Sequence, residues 1–303
     1  MTKATDWKLG LSTCSMSADF KVEDIFKAYF ENGIEYMELS YGYHDKYLDI
    51  DWDVIKKCMA DYPYVKVWSF HIPFGPFSKL NIATRDEQLL SYTMEFYRGC
   101  IDRIAELGVK IAVIHPSGEP NKPEDREELL DIAATALAEL AAYAEPKGVT
   151  IAVEDIPRTC LGNCSSDIKK LISKHPSLRV CFDTNHLLDQ RNVDFVRELG
   201  DKIVTLHVSD YDFCNERHWL PYEGDVNWVE LVTALEEVGY NGVWMYEIGF
   251  KAAKNIDRDR DLNFDDFKAN HAACVNKRPI APVGTPNHEG CMAWTYYTEP
   301  KIN

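Results

Sequence analysis

The chain is predicted to fold as an α/β protein, a single (β/α)8 TIM barrel carrying a C-terminal extension. Three observations carry that expectation. Eight short β-rich runs alternate with amphipathic helical stretches along most of the 303 residues. The runs are nearly continuously apolar, as parallel strands covered on both faces are. The turn after the first run, GLSTCS, lacks the G-x-G-x-x-G spacing that the rival, a doubly wound dinucleotide-binding sheet, places there.

The elements follow in order. Strands are expected at KLGLST (8–13), IEYMELS (34–40), VKVWSFHIP (65–73) and KIAVIHP (110–116). Four more are expected at VTIAVEDIP (149–157), LRVCFDT (178–184), KIVTLHVSD (202–210) and GVWMYEIG (242–249). The clearest helical patterns between them span 22–33, 87–108, 126–148 and 227–239. Each ends on a glycine, Gly33, Gly108, Gly148 or Gly239, the residue that accepts the positive φ of a helix stop. No Ser/Gly-rich linker or short-period repeat interrupts the pattern, so residues 1–250 read as one barrel. Residues 251–303 depart from it: a polar run, then a Pro/Gly-containing run, then CMAWTYYT. That extension reads as a lid over the barrel mouth, an outer packing element or a homo-oligomer interface, and the three stay open.

Composition narrows the function classes. An apolar fraction of 46% and an aromatic fraction of 12% describe a globular chain with a large core. No run of 18 apolar residues is present, so no membrane span is expected. The start, MTKATDWKLG, has no apolar segment of the secretory kind. The nine scattered cysteines contain no C-x-x-C and read as reduced thiols, so a cytoplasmic location is expected. A net charge of −16 repels nucleic acid phosphates and anionic membranes, which argues against both as partners.

The strand ends point to chemistry. Strands three to eight finish on or beside His71, His115, Glu154, Asp183, His207 and Glu247. In a parallel barrel these ends form one rim, the face where active sites of this fold sit. A lone histidine or carboxylate at a strand end is ordinarily a hydrogen-bonded core or loop residue. Several carboxylates and imidazoles converging in a partly dry funnel would repel or be costly to desolvate, and a divalent cation removes that cost. Glu154, Asp183, His207 and Glu247 are therefore the expected metal ligands. Three carboxylates and an imidazole suit one divalent metal ion, Mn, Mg, Co or Zn. His186, three residues past Asp183, is expected to meet a substrate hydroxyl or carbonyl. Arg217 and His218 are expected to clamp an anionic or hydroxyl group, and His71 and His115 complete the substrate-binding set.

HIPFG (71–75), IHPSG (114–118), AVEDIP (152–157), CFDTNH (181–186), LHVSD (206–210), ERHWLPYEGDVNW (216–228) and MYEIG (245–249) together resemble the xylose isomerase-like barrel superfamily. That superfamily holds sugar isomerases, sugar 3-epimerases, inosose dehydratases and endonuclease IV. The resemblance implies one divalent metal at the four ligand positions, with His186 and the Arg217–His218 segment touching substrate oxygens. The expected activity is isomerisation or epimerisation of a keto-sugar, polyol or related carbohydrate. Glu154 and Glu247 would serve as the acid/base pair, through a metal-stabilised enediolate. Two alternatives share the fold. A dehydratase or C-glycoside lyase needs the same α-proton abstraction, with His115 or His218 as general acid. A tri-zinc phosphodiesterase of the endonuclease IV type would use His71, His115, His186, Glu216 and His218 as further ligands. The charge of −16, and Glu216 where that family has Asp, count against the phosphodiesterase.

Overall fold

A computed structural model describes residues 3–16, 21–253 and 255–287 in full, and 292–295 and 298–302 by their backbone path. The aromatic run near the C-terminus lies partly outside the described residues. Eight parallel strands form one sheet: β1 (Lys8–Ser12), β2 (Tyr36–Ser40), β3 (Lys66–His71), β4 (Ile111–Ile114), β5 (Thr150–Glu154), β6 (Arg179–Asp183), β7 (Ile203–His207) and β8 (Val243–Tyr246). Neighbours follow chain order, and β8 returns to pair with β1. The last seam, between β7 and β8, is a single bridge. Val208 N donates to Met245 O at 2.8 Å, and Glu247 N donates to Val208 O at 3.2 Å.

The helices are α1 (Val22–Glu31), α2 (His44–Leu48), α3 (Trp52–Asp61), α4 (Glu87–Glu106) and α5 (Arg126–Ala144). They continue with α6 (Ser165–Leu171), α7 (Asn192–Leu199), α8 (Trp228–Glu237) and α9 (Phe264–Val275). Local chemistry sets their ends. Asp86 caps α4 by accepting from Gln88 N and Leu89 N, and Asn227 caps α8 by accepting from Glu230 N. Gly108 and Gly148 sit at φ +75° and +72°, the left-handed turns that stop the chain before β4 and β5.

Helix α9 follows β8 and lies against the outside of the barrel between α8 and α1. Phe267 packs edge-on to Tyr246 at 5.2 Å, and Phe264 edge-on to Tyr29 at 5.8 Å. The buried Asn270 accepts from the Tyr246 hydroxyl at 2.7 Å and donates to Pro221 O at 2.7 Å. Two short strands, β9 (Ile256–Asp257) and β10 (Thr285–Pro286), pair antiparallel, and β11 (Met292–Thr295) pairs with β12 (Thr298–Ile302).

Inside the barrel, Ile111, Val113, Ala152 and Cys181 form a dry plug with Trp68 and Val204 packed against it. The Trp68 indole donates to Thr205 Oγ1 at 3.2 Å, so this ring fills the barrel below the rim. Side chains alternate along a strand, so the residues two places beyond Ala152, Cys181 and Thr205 in β5, β6 and β7 rise above the plug. Those residues are Glu154, Asp183 and His207.

Candidate active site

The rim gathers the strand-end residues into one cluster around the His207 imidazole. His207 Nδ1 stands 3.0 Å from Glu154 Oε1, 3.1 Å from Glu247 Oε2 and 4.0 Å from Asp183 Oδ2. One ligand atom from each of Glu154, Asp183, His207 and Glu247 lies within 4.8 Å of the others. The other oxygen of Glu154 faces two more imidazoles, with His71 Nε2 at 3.0 Å and His115 Nε2 at 3.2 Å. Phe74 stacks on the His115 ring at 4.2 Å and closes that side.

His186 Nδ1 donates to the carbonyl of Asp155 at 2.7 Å, which leaves Nε2 facing Asp183 Oδ2 at 3.6 Å and Glu216 Oε2 at 3.4 Å. His218 holds a positive φ of 53° and pairs its Nδ1 with the carbonyl of Glu247 at 3.0 Å. Asn185 ties this loop to the rim by accepting from the backbone N–H groups of Arg217 and His218. Arg217 is engaged by Asp212, with Nη2 to Oδ2 at 2.8 Å, and its guanidinium lies 5.6 Å from the Trp219 ring. The loop is braced from behind by the C-terminal segment. Arg258 pairs with the buried Glu223, and the Trp219 indole donates to Asn255 Oδ1 at 3.0 Å.

Burial and crowding set the protonation states. Burial pushes the Asp183 carboxyl well above the usual range; His186 opposes this, while Glu247 and Glu154 add to it. Burial also acts on Glu154, but the His207 and His115 imidazoles outweigh it and hold that carboxylate well below its ordinary value. Glu247 is held low for the same reason, chiefly by His207. Burial would lower His207, yet Cys181, Glu247, Glu38 and Glu154 around it keep its proton affinity well above normal.

The donor set suits a divalent cation. Asp183 Oδ2 is buried and has no hydrogen-bond partner, and three carboxylates crowd one imidazole nitrogen. Oxygen-rich donors with one nitrogen match hard and borderline dications.

The strand-end reading starts at the third strand and passes over Glu38 in β2. This carboxylate is fully buried; its Oε2 stands 3.0 Å from His207 Nε2 and accepts from Ser69 Oγ at 2.8 Å. The signal was a single acidic residue between Met37 and Leu39 in a strand buried on both faces. Arg158, which pairs with Glu216 at 3.0 Å, gave no sequence signal at all.

Eight parallel strands with acids and imidazoles crowding their C-terminal ends define a TIM barrel with a candidate metal site. The chain belongs to the xylose isomerase-like TIM barrel family, whose sequence pattern matches residues 26–262. A Methanocaldococcus jannaschii protein, MJ1311, is 30% identical over 178 residues, 56% of this chain and 61% of that protein, less than two thirds of its length. A D-psicose 3-epimerase of Ruminiclostridium cellulolyticum is 23% identical over 262 residues, 81% of this chain and 85% of the enzyme. The crystal structure of a D-tagatose 3-epimerase-like protein superposes with a TM-score of 0.73 at 24% identity, covering 89% of this chain and 98% of that one. No described helix is long and apolar enough to cross a membrane.

Proposed function

We propose that the chain is a divalent-metal-dependent epimerase or isomerase of a keto-sugar, polyol or related carbohydrate. The observation that carries the reading is that Glu154 and Glu247, from the ends of two different strands, both reach His207 Nδ1, at 3.0 and 3.1 Å. The sugar epimerases among its relatives point to the same substrate class. Glu154, Asp183, His207 and Glu247 would hold the cation. When bound, it would polarise the substrate carbonyl and make the adjacent C–H acidic.

The protein's own groups then move the proton. Both glutamates are ionised at neutral pH, since neighbouring imidazoles hold them low. One carboxylate removes the α-proton; the other takes a proton from solvent and delivers it to the opposite face, inverting that carbon, and the first then releases its proton to solvent. Return to the neighbouring carbon would isomerise instead. His71 and His115 orient Glu154 through its second oxygen, while His186 and His218 present Nε2 to substrate oxygens. Glu247 lines a cavity of about 670 Å³ that also includes Thr13, Cys14, Ser40, Tyr41 and Phe74, room for a sugar.

One observation favours a second reading. His186, Glu216 and His218 also place ligand atoms within 4.8 Å of one another, as a multi-metal phosphodiesterase requires. A single experiment separates the two. The Mn²⁺-loaded protein is incubated in D₂O with ketoses, inososes and keto-glycosides, and α-carbon deuterium is read by NMR. Exchange is expected, and it is lost in Glu154→Gln and in Glu247→Gln with the fold intact. Activity retained in both variants refutes their roles. Cleavage of abasic-site DNA without sugar exchange selects the second reading.

A further inference from the structure

The group formed by His186, Glu216 and His218 poses a question that the proposed reaction leaves open. The Nδ1 atoms of His186 and His218 are committed to the carbonyls of Asp155 and Glu247, so both Nε2 atoms are left for the group. Two imidazoles and a carboxylate are the protein ligands of many zinc sites. Here the carboxylate is shared. Arg158 Nη1 stands 3.0 Å from Glu216 Oε1 and donates to Asn215 Oδ1 at 2.9 Å. The other edge of the guanidinium straddles Glu119, with Nε at 3.2 and 3.1 Å and Nη2 at 2.6 Å from its oxygens.

The arginine is built in rather than draped over the surface. Its side chain is 13% exposed, and its backbone takes φ 58°, uncommon for a residue with a Cβ. Asn163 Nδ2 holds its carbonyl at 2.6 Å. One guanidinium thus joins the loops after β4, β5 and β7.

We propose that Arg158 restricts the rim to one cation. By engaging Glu216 Oε1 and fixing a positive charge beside it, Arg158 makes the His186–Glu216–His218 group a hydrogen-bonding set for substrate oxygens and not a second metal site. The inference rests on the single-cation reading above. A fixed positive charge beside Glu216 repels a dication that enters the group, and removing Arg158 while Glu119 stays removes that repulsion.

The test is metal stoichiometry by mass spectrometry after dialysis against Zn²⁺, with calorimetric titration of the same samples. The wild type is expected to hold one ion and Arg158→Met two. The double variant Arg158→Met/His218→Ala is expected to return to one. Arg158→Lys keeps the charge and is expected to hold one, and Arg158→Gln provides a second neutral variant should the methionine disturb folding. One ion in the wild type and in both neutral variants overturns this inference and leaves the proposed function standing. Two or three ions in the wild type overturn it in favour of the multi-metal reading. No bound ion in the wild type overturns both.

Discussion

Removing the Glu38 carboxylate tests how the rim aims the His207 imidazole at the proposed cation position. Glu38 is fully buried, takes the Ser69 hydroxyl at 2.8 Å, and faces His207 Nε2 at 3.0 Å. With a cation bound, an Nε2 proton kept on the Glu38 side would leave the Nδ1 lone pair facing Glu154, Asp183 and Glu247. In Glu38→Ala that N–H is left buried without an acceptor, a loss of about 1–3 kcal/mol. The ring is also free to choose its other tautomer. Loss of such an orienting carboxylate typically lowers metal affinity about 10–100-fold. Glu38→Gln retains an acceptor oxygen, with Ser69 Oγ available to its amide, so its loss should stay below about tenfold. The assay is competition between the protein and a chelating dye for Mn²⁺, with kcat/KM followed in parallel. Wild-type affinity in Glu38→Ala would refute the orienting role. Equal losses in both variants would show that charge, and not ring orientation, is what Glu38 contributes.

Three further outcomes are expected. Because Asp183, His207 and His186 are all held toward their protonated forms, a cation must displace protons, so its affinity falls as pH drops. Titration in buffers of different ionisation enthalpy should show about one or more protons released per ion at neutral pH, and affinity unchanged between about pH 6 and 8 would refute this. Burial pushes the Asp155 carboxyl up to about 8 from its ordinary 3.8. Between those values the unfolded chain binds fewer protons than the folded one, so stability of the metal-free protein drifts down as pH rises, by up to about 6 kcal/mol. Asp155→Asn should flatten that slope in urea unfolding at pH 5 and pH 8, and an unchanged slope would refute the assignment. Arg258→Ala leaves Glu223 buried without its cation and should cost about 3–5 kcal/mol, seen as a lowered Tm by calorimetry. Glu223→Gln/Arg258→Met should recover most of the loss, and a wild-type Tm in Arg258→Ala would refute the brace.

The barrel was legible because its physics is local. Strands covered on both faces are apolar throughout, and the helices between them announce their stops with glycine, as at Gly108 and Gly148. The carboxylates and imidazoles were legible because apolar strand interiors run directly into them, as VCF does into Asp183. Helix α9 was not. Its sequence is polar around Phe267, and its anchor is Asn270, whose amide is satisfied across the fold by Tyr246 and Pro221. Glu38 stood in view but differs from the other rim residues in serving a neighbour instead of the rim itself. The Glu119–Arg158–Glu216 bridge joins residues on three loops, and no periodicity or spacing encodes such a meeting.

The choice of partners for the buried carboxylates carries the case for an exchangeable cation. Glu38, Glu154, Asp155 and Asp183 are each at most 1% exposed, and the ion pairs of Glu38, Glu154, Asp183 and Glu247 at the rim run to His71, His115, His186 and His207. Lysine would neutralise the same carboxylates permanently, since its proton is bound with a pKa near 10.4. Imidazole holds its proton only as firmly as the surrounding charge demands. When a dication enters such a group, the imidazoles and Asp183 release protons, and the total charge inside the barrel changes little. That near-constancy would let a buried acidic cluster of this kind stay folded without a cation and accept one. A lysine in place of His207 would retain the carboxylates and the fold's electrostatic balance but would close the position to any cation.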